Sequence, residues 1–211
     1  MKKQLILFIC LMPFAFSSIA QESIYLPIIL KNEDGTAGSY YITKGDKLVY
    51  QVTAGGNEYD FMVTVNSGNN KGALDFNYEM TNSKNTKGHV LISAHARNNA
   101  TKYVNYFGGG ELNLTNAITV WLSNKNYKEL SKRKTTMQLD NNSTEMFYRP
   151  EKDEATLVVK IKGEDKKLDA FIINNAVDGT GAKTMWINAL AGNTLIVKMN
   201  LGFTIVLKEI K

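Results

Sequence analysis

Apolar and polar residues alternate with a period of two along most of the chain. In KLVYQVTA, Leu48, Tyr50 and Val52 share one face, the pattern of a half-buried strand. Gly55-Gly56 follows, a pair that tolerates positive φ and predicts a tight hairpin. In EYDFMVTV, Tyr59, Phe61, Val63 and Val65 alternate with Glu58, Asp60, Met62 and Thr64. Pairing Ala54 with Asn57 sets Val52 opposite Tyr59, Tyr50 opposite Phe61 and Leu48 opposite Val63, so the apolar stripe crosses the turn unbroken. ALDFNYEM repeats the pattern with Leu74, Phe76, Tyr78 and Met80. Two registers keep its apolar residues against those of the preceding strand. One sets Phe61 opposite Tyr78 and forces Asp60 against Glu79. The other sets Val63 opposite Tyr78 and Phe61 opposite Met80, with a loop at residues 69–72. Like charges directly opposite are destabilising, so the second register is expected.

Further strands are predicted in HVLISAHA, TKYVNYF and ITVWLS, with GGGELN from Gly108 as a loop between the last two. The period changes in SNKNYKELSKR. There Ser123 can cap, and Tyr127 and Leu130 lie three apart, which predicts a short helix. KTTMQLD, EMFYR and TLVVKIK resume the alternation, and a KGEDKK turn leads to LDAFIINN. VDGTGAK then turns into TMWINAL, and residues 191–193 turn into the closing hairpin. In that hairpin Leu195, Val197 and Met199 face one way, with Ile196 and Lys198 the other. Phe203, Ile205 and Leu207 then oppose Val206 and Ile210. Strands apolar on both faces are central or covered on both sides, so the hairpin is expected inside the sheet, and its removal is expected to unfold the protein. The fold class expected is all-β: a single antiparallel, strongly curved sheet or half-barrel of about a dozen strands with one short helix, forming one domain over residues 21–211.

Residues 1–20 stand apart. Lys2 and Lys3, the apolar run LILFICLMPFAF and the small residues Ser18 and Ala20 have the order of a secretory signal peptide, and the run is short for a membrane span. Cys10, the one cysteine, lies in that leader. The mature chain is then without a thiol, which excludes disulfides, cysteine nucleophiles and thiolate metal sites. A chain of about 190 residues is long enough to be held by its core without such staples. The formal charge is +5, and removal of Lys2 and Lys3 leaves 25 − 2 = 23 basic against 20 acidic residues, or +3. An exported protein of such mild charge is not expected to bind nucleic acid. Lys125, Lys128, Lys132, Arg133 and Lys134, interrupted by Glu129, form the clearest basic cluster. It reads as a solvated face, or as a peripheral contact with anionic lipid head groups.

Little in the chain suggests catalysis. His89 and His95, the only histidines, fall on one expected strand about 20 Å apart, too far to share a metal. Ser93 and His95 share a face but follow no nucleophile elbow. The glycines at 108–110 lack the Lys and the helix of a phosphate loop, and VDGTGAK lacks the spaced acids of a calcium loop. Asp60 and Glu79 are only diagonal neighbours in the expected register, a poor placement for paired acid–base chemistry. No catalytic residue, metal ligand or cofactor is expected. The aromatic residues suggest more. Most belong to the core, but some suit the wall of a concave sheet face that takes an apolar ligand. Tyr103, Asn105 and Phe107 share a face in TKYVNYF; Trp121, Tyr127 and Trp186 complete the candidate ligand-binding set.

The segments VWLSNKNYKEL, TMWINAL and NTLIVKMNLGFTIVLKEIK, with the opening KGDKLVYQVTAGGNEYDFMVTV, resemble a family of exported all-β proteins from Gram-negative bacteria that has no assigned activity. The resemblance implies residence in the periplasm or secretion. It also implies an architecture similar to the half-barrels of periplasmic lipoprotein carriers, which hold acyl chains between a concave sheet and a helix. By that likeness the helix near Tyr127 covers the sheet. The expected function is non-enzymatic binding of a lipid-like or other apolar small molecule. The alternatives are an interaction or structural module of the cell envelope and, behind it, a hydrolase using Asp60, Glu79 or His95.

Overall fold

The computed structural model describes residues 26–69, 72–82, 84–190 and 192–211. The expected leader lies outside them, as do the two middle residues of the expected 69–72 loop. In chain order the elements are β1 (Leu26–Lys31), β2 (Ala37–Ile42), β3 (Lys47–Ala54), β4 (Asn57–Gly68), β5 (Leu74–Met80) and β6 (Lys87–Ile92). After these come α1 (Ala94–Asn99), β7 (Lys102–Tyr103), β8 (Gly110–Leu114), β9 (Ala117–Ile118), α2 (Asn124–Leu130), β10 (Lys134–Leu139) and β11 (Thr144–Tyr148). The chain ends with β12 (Glu154–Ile161), β13 (Glu164–Asn174), β14 (Thr184–Leu190), β15 (Asn193–Asn200) and β16 (Thr204–Ile210).

The fold is all-β, with its strands in one sheet of sixteen. The main path runs β8-β6-β5-β4-β3-β16-β15-β14-β13-β11-β10-β7-β9. β12 bridges β13 and β16, so β12 to β16 close into a five-stranded barrel. The rest departs from one simple antiparallel sheet. β12 and β16, β6 and β8, β7 and β10, and β7 and β9 pair in parallel, and a second helix, α1, joins the expected one.

The first sheet limb follows the alternation closely. β3 and β4 pair as expected, with Val52 opposite Tyr59 and Tyr50 opposite Phe61. Gly55 and Gly56 make the turn at φ 56° and 78°, the left-handed pair that a two-residue hairpin requires. β4 and β5 take the register that keeps Asp60 away from Glu79: Val63 faces Tyr78 and Phe61 faces Met80, with one bulge between Val65 and Ser67.

Three expected strands are cut short. HVLISAHA ends at Ile92 because Ser93 caps α1, its hydroxyl accepting from the Ala96 amide at 3.1 Å. His89 and His95 therefore sit on different elements. TKYVNYF keeps only Lys102 and Tyr103 as strand, since the Asp140 carboxylate takes the Asn105 amide at 2.7 Å and draws the chain away. ITVWLS keeps only its first strand residue, Ile118, joined by a single bridge from Trp121 to Leu195. GGGELN is the reverse case: Gly110 opens β8 rather than a loop. A Cβ on Gly88, opposite it, would lie 2.3 Å from the Gly110 carbonyl and 2.6 Å from the Tyr78 ring, so β8 can approach only because Gly88 is bare. The expected helix is α2, capped by Ser123 as read from the sequence.

The closing hairpin is central. β15 lies between β14 and β16, and β16 between β15 and β3. Two bulges change its facing. One between Trp186 and Ile187 on β14 leaves Val197 unpaired on β15, and this puts Met199 on the side of Ile196 rather than of Leu195. The other, at Lys208, brings Ile210 to the side of Leu207 rather than of Val206. A bulge adds one residue to a strand and so inverts the alternation beyond it.

β1 is tied into this assembly by side chains. Asn188 on β14 is fully buried. Its Oδ1 accepts from the Ile29 amide at 2.9 Å, and its Nδ2 donates to the Ile29 and Asp169 carbonyls at 2.8 and 2.6 Å. One side chain thus serves as a peptide group between β1, β13 and β14. Asn193 Nδ2 adds a bond to the Pro27 carbonyl at 2.7 Å. A second pin is Asp46, whose carboxylate takes Lys162 Nζ at 2.6 Å and the Tyr40 hydroxyl and Thr43 amide at 2.9 Å each. Asn188→Ala strands three partly buried backbone groups at once. At the low end of the roughly 1–3 kcal/mol that each buried group costs when left without a partner, the loss of stability is expected to be about 3 kcal/mol. Urea unfolding monitored by tryptophan fluorescence reads it, and a loss under ~1 kcal/mol would show that β1 is held by packing alone.

Candidate functional site

A cleft of about 430 Å³ opens on the apolar side of the first sheet limb. Its floor is the stripe that sets the strand registers: Tyr50, Val52 and Ala54 of β3, Tyr59 and Phe61 of β4, and Ile196, Met199 and Ile205 of the closing hairpin. The Val197 bulge is what brings Ile196 and Met199 to this side together. The facing wall is the irregular segment 103–108, with Thr119 and Val120 at its inner end. Asn82, Lys84, Thr86 and Phe203 border it as well.

The cleft is graded from one end to the other. Tyr50, Tyr103, Thr119, Val120 and Ile196 are buried, while Ala54, Tyr59, Asn82 and Phe203 are half-exposed, Lys84 is exposed and Tyr106 is 77% exposed. At the buried end the Tyr50 hydroxyl donates to the Ile196 carbonyl at 3.1 Å, and the Tyr103 hydroxyl accepts from the Val120 amide at 3.1 Å. Burial pushes both phenols well above their ordinary range, so they are neutral at physiological pH. Val120 has φ +61°, a conformation that a β-branched residue adopts only under constraint. Its amide and carbonyl are both engaged, the carbonyl by the Ile196 amide at 3.0 Å. Strain of this kind is held where surrounding bonds over-determine it, commonly at binding sites.

Phe107 is the middle of the wall. Its ring lies 4.6 Å from Phe61 and 4.8 Å from Tyr78, centroid to centroid. The Tyr78 hydroxyl accepts from the Gly109 amide at 2.9 Å, so the wall is bonded back to β5. Gly109 and Gly110, at φ +92° and +77°, turn the chain from the wall into β8.

The residues expected to bind a ligand separate into two groups. Tyr103, Asn105 and Phe107 line the cleft together, although as an irregular segment and not as one strand face. The other three lie elsewhere. Trp121 is fully buried, 5.7 Å from the Phe76 ring. Trp186 carries Lys198 Nζ 4.4 Å above its ring and lines neither depression. Tyr127 borders a second depression, of about 530 Å³, with Arg149, Asp169 and Phe171. It is more polar, its Arg149 guanidinium stacked 4.4 Å over Phe171 and paired with Asp153. Helix α2 therefore does not cover the cleft; segment 103–108 does. The floor residues Phe61, Ile196, Met199 and Ile205 were not expected, and the aromatic stripe was their visible signal.

The candidate acid–base residues stay apart. Glu79 pairs with Lys87 at 2.8 Å, Asp60 bonds through its backbone to Thr81, and His95 sits on α1; none of them lines the cleft. No group of His, Cys, Asp and Glu able to hold a metal occurs among the described residues. No helix among them is long and apolar enough to cross a membrane. Arg97 on α1 is buried beside Trp121, its Nη2 donating to the Gly192 carbonyl at 2.9 Å. Burial lowers its pKa to about 10.

Comparisons with known protein families, curated proteins and solved structures found no match to this chain.

On the other side of the same limb, His89 bridges two acids: Nδ1 to Glu111 at 2.6 Å and Nε2 to Asp75 at 2.9 Å. The bond to Glu111, then that to Asp75, raises its pKa above the usual 6.5. Raised in the folded state, the group stabilises fully below the unfolded value of about 6.5 and loses that contribution as pH rises through the folded value. Glu111 lies on the edge strand β8. Amide exchange in β8, corrected for intrinsic rate, is therefore expected to accelerate above that pH in the natural chain and to be flat with pH in His89→Gln.

Proposed function

We propose that the chain is an exported, non-enzymatic protein of the Gram-negative envelope that holds an apolar or amphipathic small molecule in the cleft between β3–β4, the closing hairpin and segment 103–108. One observation carries this reading: an apolar space of about 430 Å³ floored by core strands, within the roughly 300–1,000 Å³ range of small-molecule sites. Its floor is recessed and mainly apolar, with a few polar groups at its ends, the make-up of sites that bury a small molecule. In this reading β3 to β8 act as the open half-barrel wall, and the 103–108 segment takes the covering role that the carrier likeness assigned to a helix. The likeness concerns architecture and lends little to function; the cleft itself supports the reading.

Native mass spectrometry of residues 21–211, purified from a bacterial periplasm without detergent, tests the proposal. Excess mass that organic extraction removes is expected. Ala54→Trp, at the half-exposed end of the cleft, is expected to abolish that mass with a melting temperature unchanged within ~2 °C. A clean apo mass, with no gain on adding lipid extract, would refute the reading.

A further inference from the structure

Resting on the cleft as a binding site, we infer that its ligand is an anionic amphiphile, whose chain lies against the aromatic floor and whose head group meets Lys84 at the mouth. Among the described residues, the side chains around the cleft carry one formal charge at neutral pH, that of Lys84, and no carboxylate lines it. The charge is placed at one end only. Lys84 is exposed and stands on the turn between β5 and β6, beside Asn82, while the buried end holds Tyr50, Val120 and Ile196. A molecule with a long apolar part and one compact anion matches this grading; a wholly apolar one leaves the cation unused.

The nearby acids do not line the cleft. Asp140 stands beside Tyr103, at the buried end, its two oxygens accepting from the Asn105 amide at 2.7 Å and Nδ2 at 3.3 Å. Glu58 and Asp60 alternate to the opposite face of β4 from Tyr59 and Phe61. Lys84 makes no ion pair among the described residues, and Glu79, five positions before it, is paired with Lys87 at 2.8 Å. The buried phenols are neutral and repel no anion.

A carboxylate and a phosphate monoester share this chemistry, so the test separates them. Isothermal titration calorimetry of the mature chain compares dodecanoate, dodecyl phosphate, dodecanol and dodecyltrimethylammonium, each below its micelle concentration. The two anions are expected to bind about three- to tenfold tighter than the alcohol, the gain of one partly solvated ion pair. The ammonium is expected to bind weakest. High salt and Lys84→Ala should each level the anions with the alcohol, Lys84→Glu should place the ammonium above them, and Lys84→Arg should keep the natural order. Whichever anion leads, carboxylate or phosphate, names the source as a free fatty acid or a phosphate-headed lipid. Equal affinity for all four, blocked by Ala54→Trp, would overturn the anionic inference and leave the cleft reading standing. Binding of none would overturn both.

Discussion

The structure depends on how β16 satisfies both of its edges. One edge pairs with β3 over nearly the whole strand, from Thr204 to Ile210. The other pairs with β15 only from Thr204 to Val206, because β15 then diverges. Buried backbone groups cannot be left open, and β12 arrives in parallel to take Glu209 and Ile210. That exchange of partners along one strand closes the five-stranded barrel and leaves the β3 to β8 limb projecting from it. The bulge at Lys208 sits where the exchange occurs, and the resulting extra twist lets one strand belong to both parts. The cleft forms where the projecting limb, the divergence of β15 and segment 103–108 meet.

Much of this was legible in the residues. The β3, β4 and β5 registers follow from an apolar stripe and the avoidance of Asp60 against Glu79. The central position of the closing hairpin follows from its two apolar faces, and α2 from Ser123 and the Tyr127–Leu130 spacing. What was not legible has specific causes. A period of two in HVLISAHA conceals the cap at Ser93, since Ala96 and Ala100 suit a helix as well as a strand. The bulges at Val197 and Lys208 have no local signature, because they answer to distant partners. β1 and β2 were not expected, as β1 is fixed by Asn188 and Asn193, more than a hundred residues away.

The candidate site shows the same division. Tyr103, Asn105 and Phe107 lie together on the cleft although their expected strand is mostly absent. Short-range neighbours of an aromatic run stay near each other whatever the backbone does. Trp121, Tyr127 and Trp186 stand out by residue type and position in an element, and type does not say which side of a layered fold an aromatic faces. Lys84 could not be found from the sequence, since one lysine in a polar turn has meaning only once the surrounding apolar walls are known.

The tie between Asn193 and Pro27, with β3 lying against β16, sets an order of events. β1 pairs with β2 and β13, and β3 with β4, but the second edge of β3 and the tie to Pro27 come only from the last twenty residues. Long-range pairings of this kind are slow to form and come late. A chain built this way stays incomplete, with β3 open along one edge, until its final hairpin is available.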